Sequence, residues 1–256
     1  RDWSVTGVQT CALPIYSIVG YGLYLDLIAE VIAGKACHTS ALSEEEARVR
    51  LALDLAAEGR RVCLVSSGDA GIYALATLVF ELLDVENRPA WNRVETVVAP
   101  GVSAMQAAAA RIGAPLGHDF CTVSLSDLLT PWAEIERRLV AAAAGDFVVA
   151  LYNPVSQRRR DQLVAAREIL LAHRPTTTPV VLAHNLGRPG ERIEVITLGE
   201  LAPERADMLT MILVGNRQTR LVERGMNRWV YTPRGYAPMP ATHTEMDPKA
   251  GSEVVS

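Results

Sequence analysis

The sequence predicts an α/β fold in two parts, a mainly parallel sheet followed by a mixed one, and three observations lead there. Apolar runs of strand length, such as RRVCLVSS and FVVALY, alternate with stretches of helical periodicity. Strands that alternate with helices pair in parallel, because each crossover carries the chain back over the sheet. Two later runs, RIEVITL and RWVYT, instead alternate apolar with polar residues, as antiparallel strands of a mixed second sheet do. Between the two regimes IGAPLGHDF, residues 112–120, interrupts the rhythm with two glycines and a proline. A boundary there divides the chain into domains at 16–115 and 116–235.

Each element follows in order. The opening RDWSVTGVQTCALPI, residues 1–15, has no basic region followed by an unbroken apolar core, so it does not read as a secretory signal. It matches nothing in the later pattern and is read as a foreign segment, with an edge strand over SVTGVQT as the alternative. From Ser17, SIVG is a short strand and LYLDLIAEVIA has helical spacing. Ser43 to Glu46 spells a capping box opening a helix through Glu58, with Leu51 and Leu55 on its buried face and Gly59 at its end. RRVCLVSS reads as a strand covered on both faces, IYALATLVFELL as a helix, VETVVA as a strand, and the alanine-rich stretch after Gly101 as a helix. Past the break, CTVSL is a strand and Thr130–Pro131 an N-cap and first-turn pair for a helix to about Ala144. FVVALY, PVVLAH and LTMILVG are solid strands. From Pro233 the chain is poor in aliphatics and rich in proline and small polar residues, which predicts a loose tail over 236–256.

Composition narrows the function. A chain of 256 residues supports one large domain or two small ones. A formal charge of −4 argues against a protein that works by neutralising nucleic-acid phosphates. Hydrophobic residues make up 49%, yet charges interrupt every apolar run before the roughly 18 residues a membrane span needs. Cys11, Cys37, Cys63 and Cys121 lie far apart without a Cys-x-x-Cys pair, and no histidines fall at i, i+4. Reduced thiols, a cytoplasmic location and no metal site are expected, and small-molecule chemistry is the favoured class.

Neither Gly-x-Gly-x-x-Gly nor the Walker lysine loop is present. Three other loops stand at the carboxyl ends of predicted strands, where open α/β sheets bind ligands: SSGDAG (66–71), APGVSA (99–104) and LYNP (151–154). Each has a plain reading. Asp69 caps the next helix, Ser103 caps AMQAAAAR, and YNP is a strand end closed by proline. The first loop is stripped of bulk beyond what a cap requires, so its backbone amides could hold a ligand's carboxylate or ribose while Asp69 faces a cation. The conjunction of three such turns carries more weight than any one.

In order and spacing, SSGDAGIY, APGVSAMQAAAARIGAPLGHDF, SLSDLLTPW, ALYNPVSQRR and ILVGN resemble the tetrapyrrole methylase family, from about Tyr16 to about Arg234. SLSDLLTPW and LYNPVSQRR are most similar to its C17-methylating branch in cobalamin biosynthesis. The resemblance implies two α/β/α domains with the active site in the cleft between them, usually as a homodimer. It implies S-adenosylmethionine as methyl donor, S-adenosylhomocysteine as product, and precorrin-3B or cobalt-precorrin-3 as a small-molecule substrate whose ring contracts. Ser67, Gly68, Asp69, Ile72, Ser103, Ala104, Asn153 and Leu186 would line the donor site. Ring contraction needs proton handling, for which Asp127 is preferred over His118. Arg158 and Arg159, read as the start of a helix, would meet substrate carboxylates. Helical spacing prevents all of Arg158 to Arg160 from facing one ligand. Family members begin with a strand and a Gly-x-Gly-Pro-Gly loop, whose place here is taken by the opening segment. Alternatives are a related uroporphyrinogen or ribosomal RNA methyltransferase, and a non-catalytic protein that binds donor or tetrapyrrole.

Overall fold

The computed structural model describes residues 17–235; the opening segment and the tail lie outside the described residues. Strand β1 (Ser17–Tyr21) is the middle of a parallel sheet, between β2 (Ala36–Ser40) and β3 (Val62–Val65). Side chains alternate along a strand, so its two faces enter different clusters. Ile18 and Val65 pack with Leu25, Ile28 and Ile32, while Val19 meets Ala52 and Leu55. The sheet is thus a middle layer. Helix α1 (Gly22–Asp26) and the turns after it cover one side, and α2 (Glu45–Ala57) covers the other. The helix expected over LYLDLIAEVIA is only five residues long, but the turns that replace it still bury its apolar stripe.

The capping box expected at Ser43 does not form. Helix α2 starts at Glu45, and the Glu44 carboxylate accepts the Ala41 amide at 2.8 Å instead, serving the preceding turn. The buried stripe runs through Val49, Ala52, Leu53 and Leu55, which turns Leu51 outward. The end at Gly59 is as expected: its φ is 89°, and the Arg60 amide reaches back to the Leu55 carbonyl at 3.2 Å, the Schellman closure. Helix α3 (Leu75–Glu86) packs Val79 and Leu82 on Val49, Leu53 and Trp91 and stops at left-handed Asn87. The strand expected over VETVVA (94–99) has no strand partner among the described residues, and Val97 and Val98 are exposed. A β-prone run becomes a strand only where a neighbouring backbone pairs it.

Helix α4 (Ala104–Ile112) leads through the two-residue strand β4 (Gly113–Ala114) to a mixed sheet. Its strands are β5 (Phe120–Ser124), β6 (Val148–Tyr152), β7 (Pro179–His184), β8 (Arg192–Thr197) and β9 (Thr210–Val214), in the order β5-β6-β9-β7-β8. Helices α5 (Trp132–Ala144) and α6 (Asp161–Leu171) cover one face through Leu139, Leu163 and Leu170, against Leu151, Leu182 and Ile212. The other face carries small residues, Ala150 and Ala183, beneath Met105, Ala108 and Ala109 of α4. Helix α5 starts after Pro131, which is its N-cap, so Thr130 stands outside it. RWVYT is not in this sheet. As β11 (Asn227–Tyr231) it forms a hairpin with β10 (Arg220–Arg224), and β4 extends the pair.

Strands β5 and β6 are parallel, and β9 runs antiparallel to both β6 and β7. The carboxyl ends of β5, β6 and β7 therefore share one edge of the sheet.

Candidate functional site

The loop after β3 begins with half-buried Ser66 and Ser67 and turns at Gly68, whose φ of 76° suits glycine. A Cβ built on Gly101 would stand 2.1 Å from the Gly68 carbonyl oxygen, and one on Gly68 would lie 3.7 Å from Ser103 Cα. The two loops touch backbone to backbone, which leaves no room for a side chain at Gly101, while at Gly68 it is the positive φ that favours glycine. Asp69 clasps them. Its Oδ2 accepts the Gly101 amide at 3.0 Å and its Oδ1 the Gly71 amide at 2.8 Å. These bonds, the one from Gly101 foremost, hold its carboxyl below the ordinary value. Both oxygens are engaged, and α3 begins at Leu75 without a side-chain cap, so Asp69 is not the helix cap. Ile72 is half-buried in the same turn, its amide on the Asp69 carbonyl at 3.2 Å.

Ser103 is buried and caps α4 in a reciprocal box. Its amide donates to Gln106 Oε1 at 2.9 Å, and its hydroxyl accepts the Gln106 amide at 3.4 Å. Ala104 and Leu186 both pack against the α4 cluster that includes Tyr152. The Tyr152 hydroxyl accepts the Met105 amide at 3.4 Å, which joins the end of β6 to the first turn of α4. Asn153 follows in the left-handed region, φ 50°, with its exposed amide donating to Ser124 Oγ at 3.0 Å. Leu186 belongs to the loop after β7, where Glu191 accepts the Gly187 amide at 2.7 Å and Arg111 Nε at 2.5 Å. Arg111 first, then that amide, pushes the Glu191 carboxyl down. The expected donor residues thus come from four chain segments, three of them linked to the fourth, the α4 segment: Asp69 to Gly101 with Gly68 beside Ser103, Tyr152 to Met105, and the Leu186 loop to Arg111.

The remaining candidates are dispersed. Asp127 is exposed in the loop after β5, its Oδ2 accepting Gln162 Nε2 at 2.9 Å. His118 lies before β5, at the opposite end of that strand from Asp127, and its Nδ1 accepts the Asp119 amide at 2.7 Å. Arg158 and Arg159 precede α6 rather than begin it, so helical spacing does not govern them. Arg158 is exposed; Arg159 is 8% exposed. Among the described residues no cluster of three or more His, Cys, Asp or Glu side chains forms a metal site, and no helix is long and apolar enough to cross a membrane.

Sequence reasoning missed Tyr73. It sits at φ 50°, uncommon for a bulky residue, and its hydroxyl donates to the Thr122 carbonyl at 3.2 Å. Its ring lies 4.9 Å from that of Tyr152. A side chain from the parallel sheet's loop therefore reaches β5 of the mixed sheet. The available signal was an aromatic residue directly after a turn stripped of bulk.

A sequence model described as Tetrapyrrole (Corrin/Porphyrin) Methylases matches residues 16–202. The chain is 52% identical over 195 residues to a precorrin-3B C(17)-methyltransferase of Sinorhizobium sp, covering 76% of each chain. It is 42% identical over 219 residues to a probable cobalt-factor III C(17)-methyltransferase of Salmonella typhimurium, covering 86% of this chain and 88% of that one. Some relatives are longer: 43% identity with cobalamin biosynthesis protein CobIJ of Mycobacterium tuberculosis covers 92% of this chain but 46% of that protein. Among solved structures, that of the methyltransferase CobJ superposes with a TM-score of 0.77 at 43% identity, covering 86% of this chain and 89% of that one.

Proposed function

Because the chain belongs to the tetrapyrrole methylase family, we propose that it transfers a methyl group from S-adenosylmethionine to C17 of precorrin-3B or its cobalt-bearing counterpart, with contraction of the macrocycle. The observation that carries this reading is that the loop after β3 and the end of β6, one from each sheet, both meet the start of α4, Gly68 against Ser103 and Tyr152 on Met105. S-adenosylmethionine, when bound, supplies an electrophilic methyl group on a sulfonium. The protein's part is alignment and exclusion of water. Gly68 and Gly101 let backbone approach closely, and Asp69 holds the two loops in register. Ser67, Ile72, Ala104, Asn153 and Leu186 line the donor side. Ser103 acts mainly through its cap. Asp127, exposed in the loop after β5, is the proton-handling group, and Arg158 faces the substrate's carboxylate rim. The division at 115/116 and a cytoplasmic homodimer belong to the same reading.

The test incubates the full chain with methyl-labelled S-adenosylmethionine and precorrin-3B. Label at C17 with loss of the C20 bridge is expected. Label at another ring carbon overturns the C17 assignment, and donor binding without transfer favours a binding protein.

A further inference from the structure

Arg159, in the loop after β6, is not placed to greet a ligand. Arg159 is 8% exposed, and its guanidinium is folded back into the chain that carries it. Nη2 donates to the Asn153 carbonyl at 2.8 Å and Nη1 to Ser126 Oγ at 3.4 Å, with Asp127 Oδ1 4.0 Å from Nη1. Nε is buried with no hydrogen-bond partner among the described residues. Backbone bonds between Ser156 and Arg159, at 2.8 and 3.3 Å, close the intervening turn and aim the side chain back toward Asn153.

We infer that Arg159 is a positioning residue that fixes the Asn153 peptide, and hence the donor side of the site, rather than a contact for substrate carboxylates. This rests on the functional reading above, in which Asn153 faces the donor. Asn153 stands at φ 50° immediately before Pro154, where a residue is sterically restricted. A charged donor on its carbonyl opposes rotation of the Asn153–Pro154 peptide toward the commoner extended form. The same guanidinium reaches Ser126, so the loops after β5 and β6 are held as one unit. The planar fork presents N–H groups to both acceptors in a fixed geometry, which a lysine ammonium, with three rotatable donors on one nitrogen, does not reproduce. Asn153 Nδ2 on Ser124 then completes a ring of contacts across the two strand ends.

The experiment compares Arg159→Met, Arg159→Lys and Arg158→Ala in the full chain. Each is measured for S-adenosylhomocysteine affinity by calorimetry, for tetrapyrrole KM and kcat, and for amide exchange over 153–156. Arg159→Met is expected to weaken S-adenosylhomocysteine about tenfold and speed exchange in the loop, while tetrapyrrole KM moves less than twofold. Arg159→Lys should recover part of the affinity, and Arg158→Ala should leave it unchanged. If Arg159→Met does not fold, Arg159→Lys and Ser126→Ala carry the test, each expected to weaken S-adenosylhomocysteine severalfold at unchanged tetrapyrrole KM. Unchanged affinity with a raised tetrapyrrole KM overturns the inference in favour of direct substrate contact, and no change in either overturns it too. Failure of the unmodified chain to bind S-adenosylhomocysteine overturns the functional reading itself.

Discussion

At Gly101 the space for a side chain is already filled by backbone: a Cβ there meets the Gly68 carbonyl oxygen at 2.1 Å and Asp69 Cα at 3.2 Å. Neither neighbour is the end of a flexible side chain, so Gly101→Ala must separate the two loops. Overpacking of this kind costs about 1–3 kcal/mol. In a chain of this size each kcal/mol lowers Tm by roughly 2–4 °C. The expected result is a lower Tm together with weakened donor binding, and normal binding would show that the loop contact is dispensable. Asp69 gives a pH signature. Its folded pKa is depressed below the ordinary 3.8 by the Gly101 and Gly71 amides, so its stabilising contribution is complete above that value and lost as pH falls through the depressed one. Asp69→Asn keeps one acceptor oxygen but sets an amide against a second donor. It should lower Tm near neutral pH and flatten the acid limb of the Tm–pH curve; a parallel acid limb would exclude the clasp. The inward turn of Arg159, expected to meet substrate, and the reach of Tyr73 were not legible in the sequence for a common reason. Their partners, the Asn153 carbonyl and the Thr122 carbonyl, are backbone groups brought close only by tertiary structure.

Helix α4 links the two sheets: its first turn carries the Ser103 loop against Gly68, and its body packs on Ala150 and Ala183. Its reciprocal cap is therefore both a stability feature and a means of placing that loop. Ser103→Ala removes a buried cap, typically worth about 1 kcal/mol. Tm should fall by roughly 2–4 °C, measured by circular dichroism, with weaker donor binding. Ser103→Asp, which can also accept an amide, should restore most of the Tm. The Ser103 cap was legible because serine precedes an unbroken helix former, with Gln106 three residues on. The same signature at Ser43 failed because Glu44 turns back to Ala41. Likewise, β6 and β7 were legible as solid apolar runs with helices on both faces, whereas β2, ACHTS, is polar and short and offered no periodicity. Run 94–99 shows the reverse, strand composition without a pairing partner among the described residues.

Across the whole molecule, two routes couple the parallel sheet to the mixed one: the Tyr73–Thr122 bond, and α4, whose leading loop meets Gly68 and Asp69 while its body and the Tyr152–Met105 bond hold the mixed sheet. The alternation of strands and helices made two sheets legible, but which loops face one another depended on these long-range contacts. A ligand seated among loops from both sheets binds only when both are folded, so it must stabilise both. S-adenosylhomocysteine at a hundredfold excess over its Kd should add about 2.7 kcal/mol to the folded state. Scanning calorimetry is expected to show all unfolding heat moving upward together, by roughly 5–11 °C at about 2–4 °C per kcal/mol. Tyr73→Phe keeps the ring beside Tyr152 but removes the hydroxyl that bonds β5. The ligand-induced shift should shrink and the transition broaden, because the sheets then melt with less coupling. A ligand that raised only one of two separable transitions would place the donor on a single sheet, and the contacts of Gly68 with Ser103 and of Tyr152 with Met105 would then have no bearing on catalysis.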